Sequence, residues 1–350
     1  MSKLRQIVGY ARHIRAEHGI GLVTQLAEMI YLYLSRGLGP RLYYSAILWR
    51  RDMPMRDKQG YLNGARYQKC LDRLNPVQYR KLCQHKLAEK SLLIMMGFPT
   101  AKFLGFYKQD TGCDASGRLL CTPASLESLL ADGDMDAVCF KLAEGWGGRG
   151  FTAAKVDRSG PVTRLENLAF PGDGLPVARF FDKYLAAHTE SGLLIEEYIR
   201  QHEVLAAFHG SSVNTLRILT INRGGEVDVL GILLRVGRNG AVVDNTEQGG
   251  LIAELDPETG TITALRSIGV MPEYFDRHPD TGGEVCGVQL PHWSACISLS
   301  KSVMQAFPHL NYAGIDVAIG PDGPVILELN PQPDLAGSRV FRSPPARLLG

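Results

Sequence analysis

Asp316, Glu328 and Asn330 carry the kind of oxygen atoms that a hard metal ion takes, and they stand where a structural strand would place something apolar. Gly314-Ile315-Asp316-Val317-Ala318-Ile319 and Pro324-Val325-Ile326-Leu327-Glu328-Leu329-Asn330 flank Gly320-Pro321-Asp322-Gly323, which reads as a hairpin with its turn. Side chains alternate along a strand. Ile315, Val317 and Ile319 therefore share one face with Val325, Leu327 and Leu329, and the three oxygen-bearing residues take the other. A turn centred near Asp322 sets Asp316 opposite Glu328, with cross-strand Cβ atoms about 4.5–5.5 Å apart. Two carboxylates that close repel unless a cation lies between them. Carboxylate and amide oxygens without nearby His or Cys suit magnesium, which completes its shell with water and phosphate oxygens, so a nucleotide is implied. For this stretch alone, a solvated hairpin with a polar outer face explains the pattern equally well.

Lys141 closes the strand Ala137-Val138-Cys139-Phe140, and Gly145-Trp146-Gly147-Gly148-Arg149-Gly150 follows. Gly145, Gly147, Gly148 and Gly150 let backbone N–H groups surround phosphate oxygens, with the lysine close by to offset their charge. The stretch lacks the Gly-Lys-Ser/Thr ending of a P-loop and joins strand to strand instead of opening a helix. A glycine-rich hairpin loop is the plain alternative. Leu193-Leu194-Ile195-Glu196-Glu197-Tyr198-Ile199 is a strongly apolar strand that ends in a turn through Arg200, Gln201 and His202, after which Glu203 begins a new strand. Such a hinge offers the apolar slot and backbone edges that a base needs, and a carboxylate just beyond could accept ribose hydroxyls. An edge strand with exposed charges would show the same pair, Glu196 and Glu197.

Arg217 interrupts the apolar strand 213–221 and faces away from Leu216 and Ile218, so it needs a polar cleft or a carboxylate partner. It could hold a phosphate or a substrate carboxylate in bidentate fashion, or pair with Asp316 or Glu328. Asn245 with Gln248-Gly249-Gly250 makes a further polar loop whose backbone could approach an acceptor. No convincing Ser-His-Asp or Cys-His arrangement stands out, and Cys139 reads as packed in its strand.

The elements that must position these residues fall into two regimes. Helical spacing dominates up to about residue 93: Leu22, Leu26, Met29, Ile30 and Tyr33 fall on one face of one helix, and Tyr79, Leu82, Lys86 and Leu93 belong to another, with Asn75-Pro76 as punctuation between. Strands and short helices then alternate. Strands are expected at 99–105, 137–142, 152–156 and 193–199, helices at 123–130, 176–188 and 293–307, and a sheet-rich stretch at 203–265. The tail after Ser343 is expected to be loosely attached.

The 350 residues, 45% hydrophobic and 21% charged, suit a protein of two or three domains and exclude fibrous or disordered classes. Seven scattered cysteines, without a CxxC spacing, favour reduced thiols in a cytoplasm over disulfides or zinc. The start shows no signal-peptide pattern, and no membrane span is expected. The first seventy residues carry an excess of eight positive charges, interleaved with Tyr10, Tyr31, Tyr33, Tyr43, Tyr44 and Trp49. That mixture could meet an acidic polymer, a phosphorylated substrate or a membrane surface, and a helical cap with a solvated basic face is the plain alternative.

In this order, from the lysine-bearing helix to the Asp…Glu-Leu-Asn hairpin, the chain over about 80–334 resembles the ATP-grasp superfamily. Asn214-Thr215-Leu216-Arg217, the Asn245/Gly249-Gly250 loop and Gly314-Ile315-Asp316-Val317 resemble its branch of sugar-transfer associated ATP-grasp proteins, as does the helical leader with Gly37-Leu38-Gly39-Pro40. The resemblance implies an α+β fold of two subdomains clasping ATP, with an N-terminal helical extension. Its parts would be the basic extension at 1–78, the lysine and glycine-loop part at 79–197, the hairpin part at 198–335 and a tail at 336–350. It implies that Lys86 and Lys141 contact the ATP phosphates, that the loop of Gly145, Gly147, Gly148 and Gly150 folds over them, that Glu196, Glu197, Tyr198 and Ile199 frame the adenine, and that Glu203 holds the ribose. Asp316, Glu328 and Asn330 would hold magnesium, with Glu328 bridging two ions and manganese able to substitute. Arg217, with Lys141 and Asn330, would serve the transfer itself. His85, Leu142, Trp146 and Arg149 depart from the family pattern. The implied activity is an ATP-dependent ligase that makes an acyl phosphate from a small-molecule or carrier-borne carboxylate and joins it to an amine. A kinase on the same fold, or a non-catalytic nucleotide-binding accessory of polysaccharide assembly, are the alternatives. No nucleic-acid partner is expected, and the basic helices could touch an anionic surface or partner.

Overall fold

The computed structural model describes residues 3–145, 147–172, 174–244, 249–334 and 344–349. The chain opens with seven helices: α1 (Lys3–His18), α2 (Leu22–Arg36), α3 (Pro40–Ser45), α4 (Met55–Lys58), α5 (Gly64–Leu74), α6 (Val77–Gln84) and α7 (Lys86–Met95). Local chemistry ends them. Gly37 adopts φ 70° and closes α2 through its N–H, a conformation that side chains with a Cβ avoid. The expected single helix through Tyr79 and Leu93 is two, because His85 is extended and the N–H of Lys86 is bound at 2.8 Å by the carbonyl of Ala143. That break aims Lys86 and the first turn of α7 at the strand loop carrying the glycines.

The first sheet is built from β1 (Phe103–Tyr107), β2 (Cys113–Asp114), β3 (Ala137–Leu142), β4 (Thr152–Asp157), β5 (Arg164–Asn167), β6 (Leu175–Pro176) and β7 (Leu193–Glu197), in the order β2-β1-β7-β3-β4-β5-β6. Between them run α8 (Pro123–Asp132), whose N-terminus Thr122 and Ser125 close as a capping box, and α9 (Val177–Phe180), which continues in wider and tighter turns to His188. Leu126 and Leu130 of α8 and Phe180 bury against Val138, Phe140 and Ile195. The expected strand at 99–105 starts later, at Phe103, because Pro99 and Thr100 are occupied in backbone contact with Ile326 of the second sheet.

After α10 (Glu203–Ala206) come β8 (Thr215–Arg223), β9 (Glu226–Val236), β10 (Leu251–Leu255), β11 (Ile262–Arg266), β12 (Tyr274–Phe275), α11 (Trp293–Ala306), β13 (Tyr312–Gly320) and β14 (Gly323–Asn330). They form a second sheet in the order β12-β11-β10-β9-β8-β13-β14. Every neighbouring pair in both sheets is antiparallel. Its core joins Leu216, Ile218, Leu234, Ile315 and Val317 to Val303 and Met304 of α11, and takes in Cys83 of α6 and Leu93 of α7.

The hairpin of β13 and β14 pairs Asp316 with Glu328 as the alternation predicts, but the register shifts directly after, so that Val317 pairs with Ile326. Leu327 is the extra residue of a bulge. Ile326 therefore enters the core and Leu327 joins the cleft lining, the reverse of the expected placement of Leu327. A second correction concerns Glu203, which opens the short helix α10 instead of a strand, capped by the His202 ring. The last helix, α12 (Pro345–Leu349), is docked where a loose tail was expected: Leu349 buries beside Leu71 and Leu219, and Arg347 meets Asp57 at 2.8 Å. No helix among the described residues is long and apolar enough to cross a membrane.

Candidate functional site

A cleft between the two sheets is lined on one side by Lys141, Gly145, Gly147, Gly148, Arg149, Glu197, Tyr198 and Ile199, and on the other by Thr215, Arg217, Arg235, Asp244, Asp316, Glu328 and Asn330, with Lys86 of α7 between. Strand register places the second group. Asp316 stands opposite Arg217 on β8 and Glu328 on β14, and Thr215 stands opposite Arg235 on β9. Arg217 Nε donates to Asp316 Oδ1, and its Nη2 donates to Oδ2 at 2.9 Å. Arg235 Nη2 donates to the same Oδ2 at 2.8 Å. Burial works to raise the Asp316 carboxyl, and the two guanidiniums outweigh it, holding the group below the ordinary carboxylate value.

Arg235 continues the network by donating to Thr215 Oγ1 at 3.0 Å and approaching Asp244 at 3.6 Å. Asp244 accepts the Thr215 N–H at 2.9 Å as well as its hydroxyl. Burial pushes Asp244 up to about 6 against the pull of Arg235. On β14, Glu328 Oε1 takes Lys86 Nζ at 3.0 Å, and Asn330 Nδ2 donates to the Gly314 carbonyl at 3.3 Å and to Asp316 Oδ2 at 3.4 Å.

On the first sheet Glu196 lies buried between two lysines, with Lys141 Nζ 2.5 Å from Oε2 and Lys90 of α7 on Oε1. Burial alone would raise Glu196, and the lysines bring it below the usual range. The same carboxylate overcomes the burial of Lys141 and raises its pKa, so its ammonium is charged at the cleft. The glycine loop sits above. Gly147, Gly148 and Gly150 have φ of 66°, 69° and 66°, and a Cβ on Gly148 would stand 3.4 Å from Val243 of the opposite wall.

The donor set suits a hard ion in part. Glu328 and Asn330 present a carboxylate and an amide to the cleft from one side of β14, and among the described residues no His lines it and the one lining cysteine, Cys139, stands on the first sheet. Asp316 spends both its oxygens on arginines, so direct ligation by it requires one guanidinium to move. Among the described residues no group of three or more His, Cys, Asp or Glu gathers to hold a metal.

A sequence model of the family described as sugar-transfer associated ATP-grasp matches residues 65–343. The chain belongs to that family. The fold is the ATP-grasp fold, and solved structures similar to this chain are D-alanyl-alanine synthetase A from Vibrio cholerae (11% identity, TM-score 0.41, 75% of this chain and 58% of that one), biotin carboxylase from Campylobacter jejuni (11%, 0.43, 82% and 49%) and carboxyaminoimidazole ribonucleotide synthase from Aspergillus clavatus complexed with ATP (13%, 0.43, 75% and 48%). The chain spans roughly half the length of these structures. Among curated proteins none matches.

Within this ATP-grasp chain, Lys86, Lys141, the loop glycines 145, 147 and 148, Glu197, Tyr198, Ile199, Arg217, Asp316, Glu328 and Asn330 all reach one cleft. Gly150 anchors the loop from behind, where a Cβ would meet Leu142 at 2.7 Å. Glu196 is not among the residues lining the cleft; it is the buried counterion of Lys90 and Lys141. Glu203 is exposed on the first turn of α10, away from the lining residues. Trp146, Asn245 and Gln248 lie outside the described residues. Sequence reasoning missed Arg235, although it interrupts an apolar run, Leu233-Leu234-Arg235-Val236, by the same signal as Arg217. It also missed Lys90, four residues after Lys86 on α7, and Asp244, which no local pattern marks.

Proposed function

We propose that this protein is an ATP-dependent ligase that activates a substrate carboxylate as an acyl phosphate, joins it to an amine and releases ADP and phosphate. The observation that carries the reading is that Lys86 and Lys141 share one cleft with the side-by-side guanidiniums of Arg217 and Arg235, both held on Asp316, while Glu328 stands next to Asp316 on the neighbouring strand. Lys86 and Lys141 supply fixed positive charge for phosphate oxygens in a site screened from bulk water, where such charge is worth most. Arg217 and Arg235, already oriented by Asp316, present nitrogens to a carboxylate or to the acyl phosphate formed from it. The acceptor oxygen then attacks the γ-phosphorus in line, the bond to the β-phosphate oxygen breaks, and an amine displaces phosphate from the acyl carbon.

Magnesium, held by Glu328 and Asn330, would offset charge on the phosphate oxygens. Cys139 in the cleft wall is held as the thiol, since burial pushes it up to about 12, so the attacking atom comes from the substrate. Cytoplasmic placement belongs to the same proposal, supported by the seven free cysteines. Incubation with ATP, magnesium and candidate acids, with hydroxylamine as the amine, tests it: a hydroxamate formed with ADP and phosphate supports the ligase. Labelled γ-phosphate retained on a stable product, with no hydroxamate, assigns the kinase reaction instead.

A further inference from the structure

Helix α2 is turned inside out. Its buried side mixes Leu32 and Met29 with polar groups: Gln25 is 0% exposed, donates to the carbonyls of Ala11 and Ile20 at 3.1 and 2.8 Å, and accepts the Tyr44 hydroxyl at 3.0 Å. Glu28 accepts the Tyr43 hydroxyl at 2.7 Å and Lys58 Nζ at 2.9 Å. Its outer side is apolar. Leu22, Tyr33, Leu26, Ile30, Val23 and Leu34 follow one another around an arc of about 120° at 100° per residue, and their exposure runs from 38% at Leu22 to 82% at Val23. Rotating the helix to hide this arc would break the hydrogen bonds of Gln25 and Glu28 and bring buried Leu32 to the surface. The inner hydrogen bonds therefore hold the apolar face outward.

We propose that this face of α2 lies on an anionic lipid surface. The arc is as wide as the apolar stripe of an amphipathic helix and is mostly aliphatic, with Tyr33 as its one aromatic residue. At about 1.5 Å per residue, its 15 residues reach about 22 Å, too short to cross a hydrocarbon core of about 30 Å, so the helix lies in the surface plane. The charge around it selects the occupant. Arg12 and Arg15 on α1, Arg36 at the end of α2, Arg41 and Arg51 are exposed; of the four acidic residues among the first seventy, Glu28 is paired with Lys58, Asp57 with Arg347 and Asp52 with Arg50, and Glu17 on α1 is exposed. Anionic headgroups meet such an excess of exposed basic residues favourably. A second copy of the same face would bring arginines against arginines.

Flotation with vesicles tests this without nucleotide or turnover, so its outcome is independent of the ligase reading. The full chain is expected to float with vesicles of equal parts phosphatidylcholine and phosphatidylglycerol, about tenfold more than with phosphatidylcholine alone, and to detach at high salt. Leu26→Glu/Ile30→Glu/Leu34→Glu, all at exposed positions outside the cleft, should lose that binding about tenfold while melting within a few degrees of the parent. Against Trp49→Phe, which keeps Trp146 and Trp293, the emission added in Leu26→Trp/Trp49→Phe is expected to shift to the blue on adding the anionic vesicles. Undiminished flotation of the triple variant, or an unshifted emission in protein that floats, overturns the proposal. So does a concentration-dependent dimer that the triple variant abolishes in a chain that binds no vesicles.

Discussion

Glu328 meets Lys86 within the cleft and stands beside Asn330 on the same strand, so removing its charge should strip the nucleotide end of the site while leaving its volume. Glu328→Gln is expected to lower ADP release about a hundredfold or more, with the melting temperature little changed. Turnover at the parental rate would sink the assignment. Asp244 makes a prediction of a different kind. Its folded value of about 6 lies above the ordinary carboxylate value, so the folded protein keeps a proton that the unfolded chain has given up. The stability this group contributes is fully present below about pH 4 and is lost as the pH rises through about 6, by up to roughly 3 kcal/mol. Asp244→Asn should therefore fall less than the parent in melting temperature between pH 4.5 and 7 (about the span of that titration); parallel losses in the two proteins would contradict the shift. At this scale the sequence was readable where a charge interrupts an apolar strand. Arg217 announces itself, and Arg235 carries the same mark. Asp244 and Glu196 do not, because whether a carboxylate meets a substrate or two lysines depends on which strand lies beside it.

At the scale of elements, α7 joins the two sheets. Lys86 holds Glu328, Glu89 accepts the N–H of Leu329, and Lys90 reaches Glu196, Thr100 and Ala101, so one face of a short helix ties the strand carrying Glu328 to the middle of the first sheet. Lys90→Met would leave Glu196 buried with Lys141 alone and should destabilise by about 3 kcal/mol, read from urea unfolding. A change under about 0.5 kcal/mol would show that the pair is not sharing charge. The glycine loop makes its own prediction. Gly150→Ala puts a Cβ at φ 66° and 2.7 Å from Leu142, so the loop must shift; KM for ATP should rise about tenfold at modest cost to stability. The break at His85 and the bulge at Leu327 were not legible, since each is met by a contact from elsewhere in the chain, Pro99 reaching Ile326 beside the bulge, and the helix at Glu203 was missed although its cap, His202, is local. Ala143 fixes the first, and Glu203 reads as strand only because an apolar strand precedes it. The hairpin itself was legible because its alternation and turn are local.

For the whole molecule, both sheets supply groups to one cleft, so a nucleotide that bridges them stabilises the assembly and not one half. ATP with magnesium at a hundred times its dissociation constant should add about 2.7 kcal/mol to unfolding, seen as an upward shift of the transition that reports both sheets. A shift confined to one of two separate transitions would show that the sheets unfold independently. The two-sheet architecture was legible through the order of its lysine, glycine and hairpin segments. The outward apolar face of α2 was not, because helical spacing tells which residues share a face and leaves open where that face points. The bond from Leu329 to Glu89 has one more consequence. An amide proton held by a carboxyl group, in a strand where the outward amide of Ile326 meets the Pro99 carbonyl, should resonate apart from its neighbours, and its position and solvent exchange would follow any parting of α7 from β14. A single resonance would then serve as a strain gauge for the joint between the sheets, legible in solution without a ligand, a label or a second structure.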